Sequence, residues 1–313
     1  MSAEIAVSES AVQSIQSHGI TWFDVERPTK RDCARLAEAH QLLTRDSETF
    51  LDRSRLSSFT RRDGYDLLVL QVPIVATSRR RANPSISPVS IVIGPDYALT
   101  IHYGDVRPLI RFFRELETDD RARGETFGRG VPTLILAIVQ RLIDATIGSR
   151  GYLERAITAQ EELINHNDGG NDLTGTALRL RKEVQRLRRI TIPAVSVLRE
   201  LRQSRPVDEL DQDWEMLTAR LDALLTSLDD DLSALDGVLL AASAVAQLRM
   251  SRYLRALLAL SVLALPVLVV TTTLGMTVNS PLTGQPYGFT IGLAIAGVVF
   301  LVALFMARYS RLI

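Results

Sequence analysis

Two uncharged stretches close to the carboxy terminus limit what this chain can become. Residues 256–276 (ALLALSVLALPVLVVTTTLGM) carry no charge, and as a helix rising 1.5 Å per residue they reach roughly the 30 Å of a bilayer core. A second uncharged run, residues 288–307 (GFTIGLAIAGVVFLVALFMA), follows a short loop rich in Pro, Gly, Ser and Thr. Backbone polar groups in lipid must be satisfied within the segment, so both runs are expected as transmembrane helices. Arg249, Arg252 and Arg255 precede the first span, Arg308 and Arg311 follow the second, and residues 277–287 between them have no charge. The positive-inside rule then places both termini in the cytoplasm, with the protein in the cytoplasmic (inner) membrane. Residues 1–17 are polar and acidic and do not read as a signal peptide.

Such a hairpin is most often a simple anchor, but the first span is unusual in its polarity. It contains Ser261, Thr271, Thr272 and Thr273, with Pro266 in its middle, whereas the second span is almost wholly aliphatic. Stepping back from Thr277 by threes and fours gives Thr273 or Thr272, Leu268, Leu265, Ser261, Leu258, Leu254 and Ser251, one helical face on which hydroxyls alternate with leucines. That face is a candidate pore lining. The hydroxyls would supply oxygens and Leu254, Leu258, Leu265 and Leu268 a hydrophobic gate. Two helices cannot enclose water, so a pore requires several copies of the chain.

Upstream, the sequence changes character near residue 130. Residues 20–25, 66–75, 89–93 and 98–102 are short, apolar, partly β-branched runs, the last two separated by Gly94-Pro95-Asp96 as a hairpin turn. Helical stretches at 29–43 and 107–117 lie between and after them, which predicts a sheet covered by helices. From residue 132 only helices are expected. The first runs over 132–163 to the breaker His166-Asn167-Asp168-Gly169-Gly170, and the second over 172–202, interrupted or kinked at Pro193. The third starts after Pro206, and its apolar positions Leu217, Leu221, Leu224, Leu228, Leu232, Leu235 and Leu239 lead straight to the first span, predicting one very long helix.

Charge argues against several function classes. Lys plus Arg and Asp plus Glu both number 36, so no bulk field draws nucleic acid to the chain. The one cysteine, Cys33, reads as a buried thiol, and His18, His40, His102 and His166 lack zinc-ligand spacing. No nucleophile, phosphate loop or pair of catalytic carboxylates stands out, and an enzyme is not expected. The basic helix with Arg179, Arg181, Lys182, Arg186, Arg188, Arg189, Arg199, Arg202 and Arg205 is expected to pair with an acidic one carrying Asp222, Asp229, Asp230, Asp231 and Asp236.

An α/β amino-terminal domain, long coiled helices, a stalk helix entering the membrane and a carboxy-terminal hairpin together resemble the CorA family of divalent-cation transporters, including its ZntB-like branch. The markers are the strand-turn-strand of residues 89–103, Leu265-Pro266 within the first span, and Leu274-Gly275-Met276-Thr277 at its end, where the family has Tyr-Gly-Met-Asn. The resemblance implies a funnel-shaped homopentamer with a cytoplasmic α/β domain over residues 1–130 and long helices over 131–253. A pore-lining span then covers 254–277, an extracytoplasmic loop 278–287, the second span 288–308, and a cytoplasmic tail 309–313. It further implies a pore and selectivity set of Gly275, Met276, Thr277, Thr272, Thr273, Ser261 and Ser251. A divalent cation (Mg²⁺, Zn²⁺, Co²⁺ or Ni²⁺) would be the transported or regulatory ion, and no cofactor is required. Carboxylates between subunits near the stalk bind a regulatory metal in that family, which makes Asp229, Asp230 and Asp231 candidates; otherwise such a run is a solvated helix face. Thr277 in place of Asn shortens the oxygen-bearing side chain and would widen the ring. The alternative functions are a scaffold or regulator of the same fold, and a weakly selective pore opened by membrane tension.

Overall fold

The computed structural model describes residues 11–74, 85–104, 106–165, 173–204, 210–275 and 287–309. It divides into two compact units, Met1–Val238 and Leu239–Ile313.

The first unit is built on a six-stranded mixed sheet, in which the strands are β1 (Ala11–Ser17), β2 (Ile20–Glu26), β3 (Ser58–Arg61), β4 (Asp66–Ile74), β5 (Ser85–Ile93) and β6 (Tyr97–His102). Their order is β1-β2-β6-β5-β4-β3, antiparallel except where β2 pairs with β6. The predicted apolar runs form β2, β4, β5 and β6. β4 is buried along nearly its whole length, which explains its continuous apolar sequence: both faces of the strand are covered. β1 and β3 were not predicted. The two lie at the sheet's edges, and β1 joins β2 through His18 and Gly19, whose positive φ values of 52° and 77° fit a two-residue hairpin.

On one face, α1 (Lys30–Ala39) and α2 (Thr44–Thr49) cover the sheet. Cys33 and Leu36 of α1 pack there with Val25, Leu67, Val69, Leu99 and Ile101. A capping box fixes the start of α1: Thr29 N donates to Asp32 Oδ2 and Asp32 N donates to Thr29 Oγ1. Burial, with Asp32 alongside, pushes the Cys33 thiol up to about 11, so it stays protonated and inert, as expected of a buried cysteine. On the other face lie α3 (Arg107–Thr118), α4 (Asp120–Phe127), α5 (Val131–Asn165) and α6 (Leu173–Ser204). Phe112 and Phe113 of α3 meet Trp22, while α5 and α6 pack on β4. α6 runs over Leu173–Ser204, close to the helix expected over 172–202, with Pro193 inside it and without a break; buried Ile190, Ala194 and Val195 flank the proline and anchor the helix on both sides of it. The breaker at 166–170 lies outside the described residues.

A polar chain threads this otherwise apolar layer. Trp22 Nε1 donates to Thr100 Oγ1 (3.0 Å), and Thr100 Oγ1 in turn donates to Asp24 Oδ1 (2.5 Å). His102, fully buried, places Nε2 at 3.3 Å from Asp24 Oδ2 and Nδ1 at 2.9 Å from the Gly104 carbonyl. Both ring nitrogens therefore face acceptors, which suits a doubly protonated imidazolium beside a carboxylate. Burial pushes the His102 pKa down, but the hydrogen bond to Asp24, that carboxylate's charge and the Gly104 carbonyl outweigh it, and the net displacement is upward. A folded-state pKa above the unfolded value of about 6.5 gives stability that is fully present below that pH and is lost as pH rises through the folded value. The melting temperature of the protein is therefore expected to fall as pH is raised from 6 through the alkaline range, and His102→Gln should flatten this component. An identical pH slope in parent and variant would refute the assignment.

α7 (Asp211–Gly275) is a single helix of 65 residues, as the uninterrupted periodicity predicts, and α8 (Gly288–Tyr309) corresponds to the second uncharged run. Within the first unit, buried Trp214, Leu217, Leu221, Leu224, Leu228 and Leu235 form the inner stripe of α7.

Candidate functional site

The second unit is apolar where it meets its surroundings. Leu254, Leu257, Leu258, Leu260, Leu265 and Leu268 of α7 are all half or more exposed, as are Val298, Leu301 and Phe305 of α8. A surface of that kind is not stable against water and marks contact with lipid or with other copies of the chain. The candidate seam lies within it. Ser251, Leu254, Leu258, Ser261, Leu265, Leu268 and Thr272 all fall on α7. Separated by threes and fours, they climb roughly 30 Å within an arc of about 100° around the helix, and so remain on one side of it.

The hydroxyls on this seam donate inward. Ser261 Oγ donates to the Leu257 carbonyl (2.9 Å) and Thr272 Oγ1 to the Leu268 carbonyl (2.8 Å), each one turn back. With the hydrogen turned to the backbone, a hydroxyl shows its oxygen lone pairs to the outside and acts as an acceptor. Water around a cation points its hydrogens outward, so a row of such acceptors is suited to a hydrated cation. Ser251 differs. Its Oγ accepts from Arg255 Nη2 at 3.1 Å, which sets a guanidinium beside the start of the seam. Sequence reasoning missed this contact, although the spacing of four residues between the two signals it. Thr273 and Gly275 fall within α7, which ends at Gly275, while Met276 and Thr277 lie outside the described residues.

In the first unit, the acidic stretch of α7 meets the arginines expected of it. Arg181 pairs with Asp236 (3.4 Å), and seven residues further along α6 Arg188 pairs with Asp229 (2.6 Å), seven residues back along α7. That is the register of two antiparallel helices. Arg199 with Asp222 and Arg202 with Asp211 continue it. Asp231 turns the other way: its carboxylate is buried and takes two bonds of 3.0 Å from Arg150 of α5. Asp229, Asp230 and Asp231 thus diverge: Asp229 and Asp230 are exposed and Asp231 is buried, and of the three only Asp230 forms no ion pair among the described residues. Nor does any group of three or more His, Cys, Asp or Glu gather into a metal site among those residues.

Residues 17–308 match the family described as CorA-like Mg²⁺ transporter protein. The chain belongs to this family. CorA-like proteins are membrane transporters of cations and not enzymes, and the stretch Asp211–Ser261 of α7 is long and apolar enough to cross a membrane, which accords with that placement. The fold is shared with the complete CorA magnesium transporter of Methanocaldococcus jannaschii, at 19% identity over 96% of this chain and 94% of that one, with a TM-score of 0.82. The full-length CmaX protein is similar at 18% identity over 93% and 88% (TM-score 0.74). The ZntB cytoplasmic domain of Vibrio parahaemolyticus is similar at 13% over 76% and 90% (TM-score 0.59). A search of curated proteins finds no match.

Within this CorA-like chain, length and hydropathy alone do not separate spanning from core helices. The stretch Val131–Glu162 of α5 is also long and apolar enough to cross a membrane. Half of its apolar window is buried, and α5 packs against β4, β6, α3 and α6, so it is a core helix of the first unit. Asp236 is the last acidic residue of the sequence, and five arginines are the only charged residues after it.

Proposed function

We propose that the protein is a homo-oligomeric channel for hydrated divalent cations, a pentamer by its family, whose pore is lined by the α7 seam with a ring of Thr277 at the extracytoplasmic mouth. The observation that carries this reading is the seam itself: inward-donating hydroxyls at Ser261 and Thr272 alternate with exposed leucines along one side of the helix. Leu254, Leu258, Leu265 and Leu268 form constrictions that dewet when closed, while Thr272, Thr273 and Ser261 offer acceptors to the ion's water shell. Gly275, Met276 and Thr277 complete the pore and selectivity set, and the ring of Thr277 would offer its oxygens to the hydrated ion. Both termini are cytoplasmic because every charge of the hairpin lies outside the loop.

Flux of Mg²⁺, Zn²⁺, Co²⁺ and Ni²⁺ into vesicles holding the purified oligomer tests this directly. Leu258→Ser is expected to raise flux by wetting a constriction, and Leu260→Ser, on the far side of the helix, to leave it unchanged. No flux from well-folded oligomers, or equal responses of the two variants, would remove the proposal.

One observation favours a second reading, a weakly selective pore or a scaffold. With no carboxylate after Asp236, nothing fixed in the membrane part concentrates divalent ions. Thr277→Asn separates the two: Mg²⁺ transport gained by the variant and absent from the parent identifies a chain whose selectivity depends on that side chain.

A further inference from the structure

A groove of about 510 Å³ opens at one end of the sheet, in the size range of small-molecule sites. Three chain reversals build it. The β3–β4 turn contributes Asp63 and Gly64, the latter at a φ of 90°; the β5–β6 hairpin contributes Asp96 and Tyr97; and the end of α1 contributes His40. The register Asp66↔Ile93 brings the two turns to the same edge, and Phe23 of β2 completes the wall.

The walls are aromatic. The His40 ring lies 4.2 Å from that of Tyr97 and 5.1 Å from that of Phe23, centroid to centroid. Gly94 is what allows this: a Cβ there would fall 2.2 Å from Tyr97 Cε1, so only glycine lets the ring lie over the hairpin. Burial pushes the His40 pKa down against the pull of Asp96, which keeps the ring neutral at neutral pH and makes it another face rather than a competing charge.

The groove also carries net negative charge. Asp63 and Asp96 are exposed, and no described lysine or arginine forms an ion pair with either. The nearby arginines are engaged elsewhere: Arg62 gives two bonds, of 2.9 and 3.1 Å, to Asp46, and Arg61 reaches the Ser204 carbonyl. Among the described residues that line the groove none is a lysine or arginine, so an anionic ligand meets no counter-charge in its wall. A hard metal ion would gain nothing from aromatic walls, and among the described residues no three His, Cys, Asp or Glu side chains gather closely enough to hold one, His40 included. An ammonium gains from both features, through cation–π attraction to the rings and charge-assisted hydrogen bonds to the carboxylates.

We propose that this groove binds an aliphatic diamine or polyamine, its ammonium groups on Asp63 and Asp96 and its methylene chain along Phe23, His40 and Tyr97. The residues that line the site all belong to the first unit.

Equilibrium dialysis of the full chain in detergent against labelled putrescine and spermidine tests it. Saturable binding is expected, weakened about tenfold by Asp63→Asn and by Asp96→Asn and several-fold by Tyr97→Leu, and weakening further as salt is raised. Because both aspartates are exposed and form no ion pair among the described residues, the Asn variants should melt as the parent does, so lost binding reads as a lost site. Binding that is absent, or that survives unchanged in the double Asn variant, overturns the proposal. So does displacement by Mg²⁺ at concentrations stoichiometric with the protein, which would make this a metal site.

Discussion

Trp22→Ala is expected to destabilise the protein by about 3–5 kcal/mol, the cost of emptying an aromatic site in a packed core. Trp22 is fully buried, its ring 5.6 Å from Phe112 and 5.1 Å from Phe113, so truncation opens a cavity between β2 and α3 that neither phenylalanine can close without leaving its own contacts. The indole also donates to Thr100, which in turn donates to Asp24, the partner of His102. The substitution therefore leaves the buried ion pair with one support fewer. Against a total of roughly 5–15 kcal/mol, this is a large share of the stability of such a protein. Chemical unfolding followed by the fluorescence of Trp214, the second tryptophan of the chain, measures it. Trp22→Phe keeps most of the volume and loses the N–H, and should cost about 1–2 kcal/mol. A loss below about 1 kcal/mol for the alanine variant would show that the layer is not packed as described.

How much of this was legible in the sequence depends on burial. β4, β5 and β6 are apolar on both faces because helices cover the sheet on both sides, and their runs stand out from the polar helices around them. β1 exposes most of its side chains and buries Ile15, while β3 is four residues long and half-buried; neither has a pattern strong enough to distinguish it from loop. The long helices were readable from the spacing of their apolar residues, since a stripe that must face a core repeats at the helical period over many turns. At Pro193 local chemistry allows either a break or a kink, and buried neighbours before and after it keep α6 continuous. For the candidate pore, spacing placed the seam on one side of α7, but the direction of the hydroxyl hydrogens depends on the helix backbone and the Arg255–Ser251 contact on side-chain rotamers. The groove at the end of the sheet was invisible in sequence. Phe23, His40, Asp63 and Tyr97 come from four separate segments, and only the strand register joins them.

The acidic run of α7 shows the same limit in one turn of helix, and it yields the second large effect. Asp229 and Asp231 are alike in sequence, yet Asp229 meets Arg188 with both side chains about half exposed, whereas Asp231 is 7% exposed and meets Arg150 through two bonds. Water screens the first pair, and its loss in Asp229→Ala should cost less than about 1 kcal/mol. Asp231→Ala instead strands a guanidinium between α5 and α7. The cost of breaking a buried pair is about 3–5 kcal/mol; here Arg150 keeps partial access to water and a contact of 3.4 Å to Glu154, which places the expected loss near the lower end, about 3 kcal/mol. Replacing both partners, Arg150→Met with Asp231→Leu, removes charge and counter-charge together and should restore most of the loss, because two apolar side chains of similar length carry no desolvation cost. Thermal unfolding of the four proteins decides it. Equal losses for Asp229→Ala and Asp231→Ala would show that burial does not distinguish the two carboxylates. A double variant as unstable as Asp231→Ala alone would show that the pair itself, rather than the stranded charge, holds α5 to α7.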